Sequence, residues 1–245
     1  MDTAEYANLA RVEREHWYYA GKREVVRYWL ERAGPPRPEQ TLLDCGAGTG
    51  LFAAEMAGRC RVLVLDDHEE ALRLLRERFG PEQVLRLESG RVPQPAASVD
   101  YVTALDVLEH VRDDAAAVAE LARVLKPGGV AVVTAPAGLA LWSDWDVALH
   151  HYRRYGRAQL RGLFPEKDWE IVHLNHTNVL VYPAVWVVRK WRGRRGAGER
   201  GVRPEDRLLP RWLNALLRVV FVGMARWRVP LPFGVSLLLV ARRRG

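Results

Sequence analysis

The sequence predicts an α/β fold built on a mostly parallel sheet with helices on both faces. Three observations carry it. Apolar strand patterns near 41–44, 61–66, 84–88, 99–105 and 130–135 alternate with helical patterns near 50–58, 68–79 and 113–125; βα units of that length close a parallel sheet. Thr41-Leu42-Leu43 runs through Asp44 into glycines at 46, 48 and 50, then into an Ala-rich helix from Leu51. A second apolar run, 61–65, ends in Asp66-Asp67.

The elements follow in order. Residues 1–33 read as helical, and Gly34-Pro35-Pro36-Arg37-Pro38 ends them, because proline cannot continue a helix. At 126–129, Lys-Pro-Gly-Gly stops the helix at 113–125 and turns into the fifth strand. Residues 136–156 form an irregular, aromatic and charged insertion. A short helix near 157–163 and a strand near 169–174 come next. The apolar run at 233–241 is a final strand. The roughly 60 residues between these last two strands are too many for a structureless loop in a compact domain. They predict helices near 179–192 and 207–226, joined by a flexible basic link at 192–201.

At 245 residues the chain can bury a full core as one elaborated domain. The acidic, polar start predicts no secretory signal. The longest apolar stretches fall short of the roughly 18 residues that cross a bilayer. Cys45 and Cys60 are the only cysteines and show no metal-ligand spacing, so free thiols in a cytoplasmic protein with no metal site are expected. The net charge of +7 is uneven. Residues 1–150 carry 17 Lys+Arg against 24 Asp+Glu, and residues 151–245 carry 20 against 6. A basic C-terminal part favours an anionic partner, whether acceptor, membrane surface or nucleic acid; a solvated arginine-rich surface is the bland alternative.

Glycine spacing narrows the chemistry. The dinucleotide fingerprint G-x-G-x-x-G cradles a pyrophosphate, whereas residues 44–50 read D-x-G-x-G-x-G. That pattern resembles motif I of the class I S-adenosylmethionine (SAM) dependent methyltransferases. The resemblance implies a Rossmann-like seven-stranded sheet, mostly parallel with an antiparallel last strand, and SAM as cofactor, with S-adenosylhomocysteine as product. Asp44, Gly46, Ala47, Gly48 and Gly50 then form the cofactor turn. Asp66 is placed to accept from both ribose hydroxyls. Asp67 and His68 border the adenine, or Asp67 caps the helix 69–79. By resemblance, Glu88 accepts from the adenine amino group and the Ser89 N–H donates to the ring.

Residues 106–110, Asp-Val-Leu-Glu-His, resemble motif IV of the type 11/12 subgroup, which acts on small molecules. The resemblance places Asp106 at the floor of the methionine site and His110 near the reaction centre, as proton acceptor or as a structural histidine. No Asn/Asp-Pro-Pro-Tyr/Phe motif follows the fourth strand, and neither cysteine is placed for attack on a pyrimidine, so base methylation is disfavoured. In the family the N-terminal helix folds over the cofactor as a lid. Trp17 and Tyr18 would face the sulfonium, and Arg23 would meet the cofactor carboxylate; ordinary helix packing is the alternative for each.

The segment 141–155 follows the fifth strand and lies at the carboxyl edge, where ligands of open α/β sheets bind. It resembles a Leu-Trp-Ser…Asp…His-x-Arg-Arg-Tyr pattern of bacterial methyltransferases that modify glycans, lipids or natural products. His151 is the preferred general base, with Asp146 as orienter. Trp142, Arg153, Arg154 and Tyr155 would line the acceptor side, the arginines holding an anionic group. An insertion knitted by Asp–Arg pairs is the alternative. The organisation expected is an N-terminal lid (1–40), a SAM-binding core (41–178) with its substrate insertion (136–156), a helical basic insertion (179–232) and a final core strand (233–245). The second half of that helical insertion, and the run 179–188, are apolar with Trp and Arg at their edges, which suits a greasy acceptor channel, a contact at the inner membrane face, or packing on the sheet or a second subunit. The reading is an O-methyltransferase for a small-molecule, sugar or lipid-linked acceptor. RNA or protein methylation and a non-catalytic SAM-binding subunit stay open as alternatives, with nucleic acid the weaker partner.

Overall fold

A computed structural model describes residues 3–193 and 208–245. Seven strands form one sheet: β1 (Thr41–Cys45), β2 (Arg61–Asp66), β3 (Val84–Arg86), β4 (Val99–Leu105), β5 (Leu125–Pro136), β6 (Trp169–Thr177) and β7 (Ser236–Arg243). Their order is β3-β2-β1-β4-β5-β7-β6. β1 to β5 pair in parallel, and β7 runs antiparallel between β5 and β6. The expected sheet is therefore present, antiparallel last strand included.

Side chains on a strand alternate between faces, so adjacent apolar residues feed two cores. Leu43, Val102 and Val133 join Val118, Leu121 and Val124 on one face. Leu42, Tyr101 and Val132 join Val26, Trp29 and Phe52 on the other. The first face is covered by α5 (Asp114–Val124) and α7 (Arg157–Gly162). The second lies under α2 (Trp17–Ala33), α3 (Leu51–Met56), α4 (Glu69–Arg78) and α9 (Arg211–Ala225). Burial on both faces explains why these strands read as continuous apolar runs.

Three local features depart from the sequence pattern. The N-terminal helix is two: α1 (Thr3–Val12) and α2, broken where the buried Glu13 turns inward to accept from Thr49 Oγ1 at 2.7 Å. The segment 136–156 is not wholly irregular, since it holds α6 (Asp144–Ala148). The basic link at 192–201 lies, beyond the end of α8 (Tyr182–Gly193), outside the described residues. Elsewhere helix starts follow chemistry. The Asp113 side chain accepts from the Ala116 N–H, and His68 Nδ1 from the Glu70 N–H. α4 also carries Glu69 and Glu70 in its first turn and Arg76 and Arg78 in its last, matching the helix dipole.

The sheet order positions the site. From β1 the chain moves outward through β2 and β3, then returns to add β4 on the other side of β1. The carboxyl ends of β1 and β4 diverge at this switch point, and open α/β sheets bind ligands there. Asp44 and the glycine turn leave one strand; Asp106 leaves the other.

Candidate active site

The glycine turn divides its labour. Gly46, Gly48 and Gly50 all have positive φ, at 63°, 58° and 74°, where a Cβ is strained. A Cβ on Gly46 would lie 2.6 Å from Val107, and one on Gly50 2.7 Å from both Leu75 and Phe79. Those two glycines serve packing. A Cβ on Gly48 would meet nothing closer than Tyr6 Cε1 at 3.9 Å. Gly48 is the position where the backbone is bare for a ligand. Ala47 ties the turn to β2, its N–H donating to the Leu65 carbonyl at 3.1 Å.

Asp66 closes the turn. Its carboxylate accepts from the N–H groups of Gly48 (3.0 Å), Asp67 (2.9 Å) and His68 (3.0 Å). Burial raises its pKa against those hydrogen bonds. Two carboxylate oxygens offer about four acceptor sites, so three bonds leave room for a ribose hydroxyl. Asp67 is exposed and caps nothing; His68 caps α4 instead. Glu88 and Ser89 stand exposed in a tight hairpin with Arg91, where Ser89 and Gly90 take the left-handed φ that such turns require. Leu87 N–H donates to the Asp66 carbonyl, so this hairpin starts beside the ribose-side acid.

On the methionine side, Asp44 is buried and accepts from Thr103 Oγ1 at 2.6 Å. Burial pushes its pKa up to about 7. Asp106 sits in left-handed backbone (φ 57°), accepts from Thr134 Oγ1 at 2.8 Å and pairs with Lys22 Nζ at 2.7 Å. Burial works against the Asp106 carboxylate, but Lys22 outweighs it and holds the pKa below its usual value. Lys22 Nζ also lies 5.4 Å from the Tyr18 ring centre and 5.8 Å from that of Tyr19. Sequence reasoning missed Lys22. The signal was its i,i+4 and i,i+3 spacing from Tyr18 and Tyr19 on one helix.

That pairing corrects the expectation for Arg23. Its guanidinium is buried and donates to Glu55 Oε1 (2.8 Å) and to the Glu13 carbonyl (2.6 Å), which leaves Lys22 as the cation beside Asp106. Trp17 is corrected too. Its ring packs edge-on against Phe221 of α9, 5.9 Å between centres, because α9 covers this end of α2. Tyr18 stays beside Lys22, with its hydroxyl 3.4 Å from Ser236 Oγ.

Within residues 141–155, Asp146 is the hub. It is 1% exposed. It accepts from Arg154 Nε (2.7 Å), Arg189 Nη1 (3.3 Å) and the Ser143 N–H (2.9 Å), and its Oδ1 lies 3.1 Å from His151 Nδ1. Burial opposes the charge, but these partners hold its pKa down to about 2. An ionised carboxylate only accepts, so His151 Nδ1 is the donor in this contact, and in the neutral imidazole Nε2 carries the lone pair. Asp146 and His151, named together from the sequence, are in contact. The expected acceptor contacts fare differently. Arg154 is 4% exposed and also donates to the Ala137 carbonyl, so it braces the segment internally. Tyr155 is fully buried, bridges Ala137 and donates to Asp114 Oδ2 at 2.9 Å, which makes it core. Arg153 pairs with Asp114 at 2.6 Å and donates to the Arg112 carbonyl. Trp142 remains on the surface.

His110 and His151 meet edge to face, 4.6 Å between ring centres. Burial, then the neighbouring His151, lowers the His110 pKa to about 4, so this imidazole is neutral. The Tyr152 N–H donates to the Glu109 carbonyl at 2.8 Å and ties the segment to the turn after β4. Glu109 itself is buried, and burial raises its pKa well above its usual value. Sequence reasoning left Glu109 aside, although it separates Asp106 from His110 in the motif.

The bare Gly48 backbone, the acid at the end of β2 and the Asp106–Lys22 pair across the switch point fit a nucleoside carrying an amino-acid tail. The fold that carries them is the Rossmann-like methyltransferase fold. Residues 43–133 match the family model described as a methyltransferase domain. A Mycolicibacterium smegmatis protein named as a SAM-dependent methyltransferase is 31% identical over 160 residues, 64% of this chain and 61% of that protein. The malonyl-[acyl-carrier protein] O-methyltransferase of Serratia marcescens is 30% identical over 164 residues, 64% of each. The chain thus spans under two thirds of the length of these relatives. A Haloferax volcanii protein named as a methyltransferase, solved with the Trm112 methyltransferase activator, shares the fold with a TM-score of 0.63 at 18% identity, covering 99% of this chain and 95% of that one.

Proposed function

We propose that this chain transfers the methyl group of SAM to an oxygen of a small-molecule, sugar or lipid-linked acceptor, with His151 as the base. The observation that carries this reading is the Asp146–His151 pair, placed beside His110 at the carboxyl edge. SAM supplies an activated methyl group on a sulfonium. Positioning then provides much of the rate. Asp66 and the Gly48 backbone hold the nucleoside end, and Lys22 with Asp106 receives the amino-acid end. Asp146 keeps the Nε2 lone pair of His151 available to take the hydroxyl proton as oxygen attacks. The O-methyltransferase activity named for the Serratia relative supports oxygen as the methylated atom.

A lipid-linked acceptor draws support from the helical insertion. Trp186 and Trp191 of α8 and Trp212, Leu216 and Val219 of α9 are each more than two fifths exposed, a character suited to an interfacial contact. Among the described residues no helix is long and apolar enough to cross a membrane.

The test compares His151→Ala with the parent in single-turnover assays against hydroxyl acceptors, alongside SAM calorimetry. Turnover should fall about 100-fold or more, within the range of general-base catalysis, with SAM affinity within twofold. Equal turnover removes His151 as base.

A further inference from the structure

The turn after β4 holds chemistry that a lone base does not use. It sets Glu109 beside His110, and the 141–155 segment brings His151 to both. One ligand-type atom from each of the three lies within 4.8 Å of the other two.

Three observations point to an ion. Glu109 is 1% exposed, yet its Oε2 meets no hydrogen-bond donor among the described residues. A buried carboxylate oxygen left so carries a desolvation cost that a cation would remove. His151 Nδ1 is engaged by Asp146, which leaves Nε2 as its ligand atom. A carboxylate behind a histidine is the arrangement that fixes metal-bound imidazoles. Finally, the two segments that carry the ligands are already joined, through the Tyr152 N–H and the Glu109 carbonyl.

We propose that Glu109, His110 and His151 form a binding site for a divalent transition-metal ion. Two imidazoles and one carboxylate suit zinc or manganese and leave coordination positions open. Ligand atoms around such an ion, at about 2.1 Å each, stand roughly 3.4 Å apart in a tetrahedron, so side chains whose ligand atoms lie within 4.8 Å of one another need only close in slightly on binding. Asp106 is not a ligand, because Lys22 and Thr134 already hold it.

The role of the site rests on the oxygen-acceptor reading. An acceptor hydroxyl in an open position is acidified by the ion. Its O–H bond breaks and the proton passes to water. The new O–CH3 bond forms as the S–CH3 bond breaks, and that electron pair stays on sulfur. His151 is then a ligand through Nε2, and the ion replaces it as the agent of deprotonation.

The test uses the full chain after chelation, titrated calorimetrically with ZnCl2 and with MnCl2. One saturable site is expected for at least one of them, weakened tenfold or more in Glu109→Gln and in His110→Ala. Should either variant fail to fold, as judged by thermal melting, the other carries the measurement. Absence of saturable binding by both ions overturns the site, as does equal affinity in parent and variants. SAM calorimetry in the same samples separates the readings. Intact SAM binding and turnover without metal binding overturn the metal site and leave methyl transfer by His151 standing. Loss of metal binding in the variants, together with turnover abolished by chelation and restored by the ion, supports the metal site and methyl transfer to oxygen, with the ion in place of His151 as the agent of deprotonation.

Discussion

The glycine turn follows the carboxyl end of β1 and the 141–155 segment that of β5, and the two use acids in opposite ways. Asp66 takes its hydrogen bonds from backbone N–H groups, one in the glycine turn and two directly after it in the chain, and the residue beside it, Asp67, is exposed. Asp146 is enclosed and takes side chains from three directions, namely Arg154, Arg189 and His151. An acid held by backbone keeps a fixed position and retains acceptor capacity for a ligand. An acid held by side chains organises those side chains. Two aspartates at the same edge are therefore held differently, one by main-chain donors and one by side chains.

The sharpest way to break this contrast is Asp146→Ala. It leaves Arg154, 4% exposed, without its carboxylate, and removing one partner of a buried ion pair costs about 3–5 kcal/mol. The melting temperature should fall steeply, while the folded fraction still binds SAM. The acid response gives a second readout. The Asp146 pKa is lowered from its usual 3.8 to about 2, so its contribution is complete above pH 4 and disappears as pH falls through 2. The parent should lose stability over that interval, and the variant should lose less. Melting curves that show identical acid slopes for the two proteins would remove Asp146 as a stabilising hub.

Asp66→Ala comes next in size. SAM affinity should fall at least tenfold, about 1.4 kcal/mol, as measured by calorimetry. Unchanged affinity would take Asp66 out of the site and erase its half of the contrast.

This division also explains what the sequence could show. The five parallel strands and the glycine turn were legible because their signals are local: apolar runs bounded by breakers, and glycines at fixed spacing. Asp44, Asp66 and Asp106 stand at strand ends, which periodicity located, and the resemblance to motifs I and IV singled out Asp44 and Asp106. The segment 141–155 was legible only in part. Asp146 and His151 lie five apart and do pair, but Arg154 and Tyr155 looked like surface chemistry and are buried. Their burial depends on the bridge from Tyr155 to Ala137 and on Asp114, 41 residues away. Ser143 and Asp146 form the capping box that starts α6, in a stretch whose sequence reads as irregular. Lys22 and Arg23 show the limit most clearly. They are neighbours of like charge, and only helix rotation decides that Lys22 meets Asp106 while Arg23 meets Glu55.

The finest test lies inside the glycine turn, between Gly48 and Gly50. Both have positive φ, so alanine at either costs roughly 1–2 kcal/mol in backbone strain. At Gly50 the new methyl also enters the packing of Leu75 and Phe79, which adds an overpacking cost of about 1–3 kcal/mol. At Gly48 it meets only open space near Tyr6. Gly50→Ala should therefore lower the melting temperature more than Gly48→Ala. Gly48→Ala, in turn, should weaken SAM binding severalfold with the smaller loss of stability, because its methyl stands where the ligand approaches the bare backbone. If SAM calorimetry finds Gly48→Ala equal to the parent, the turn is bare for folding alone, and the cofactor must be held by the carboxylates without close contact to the chain.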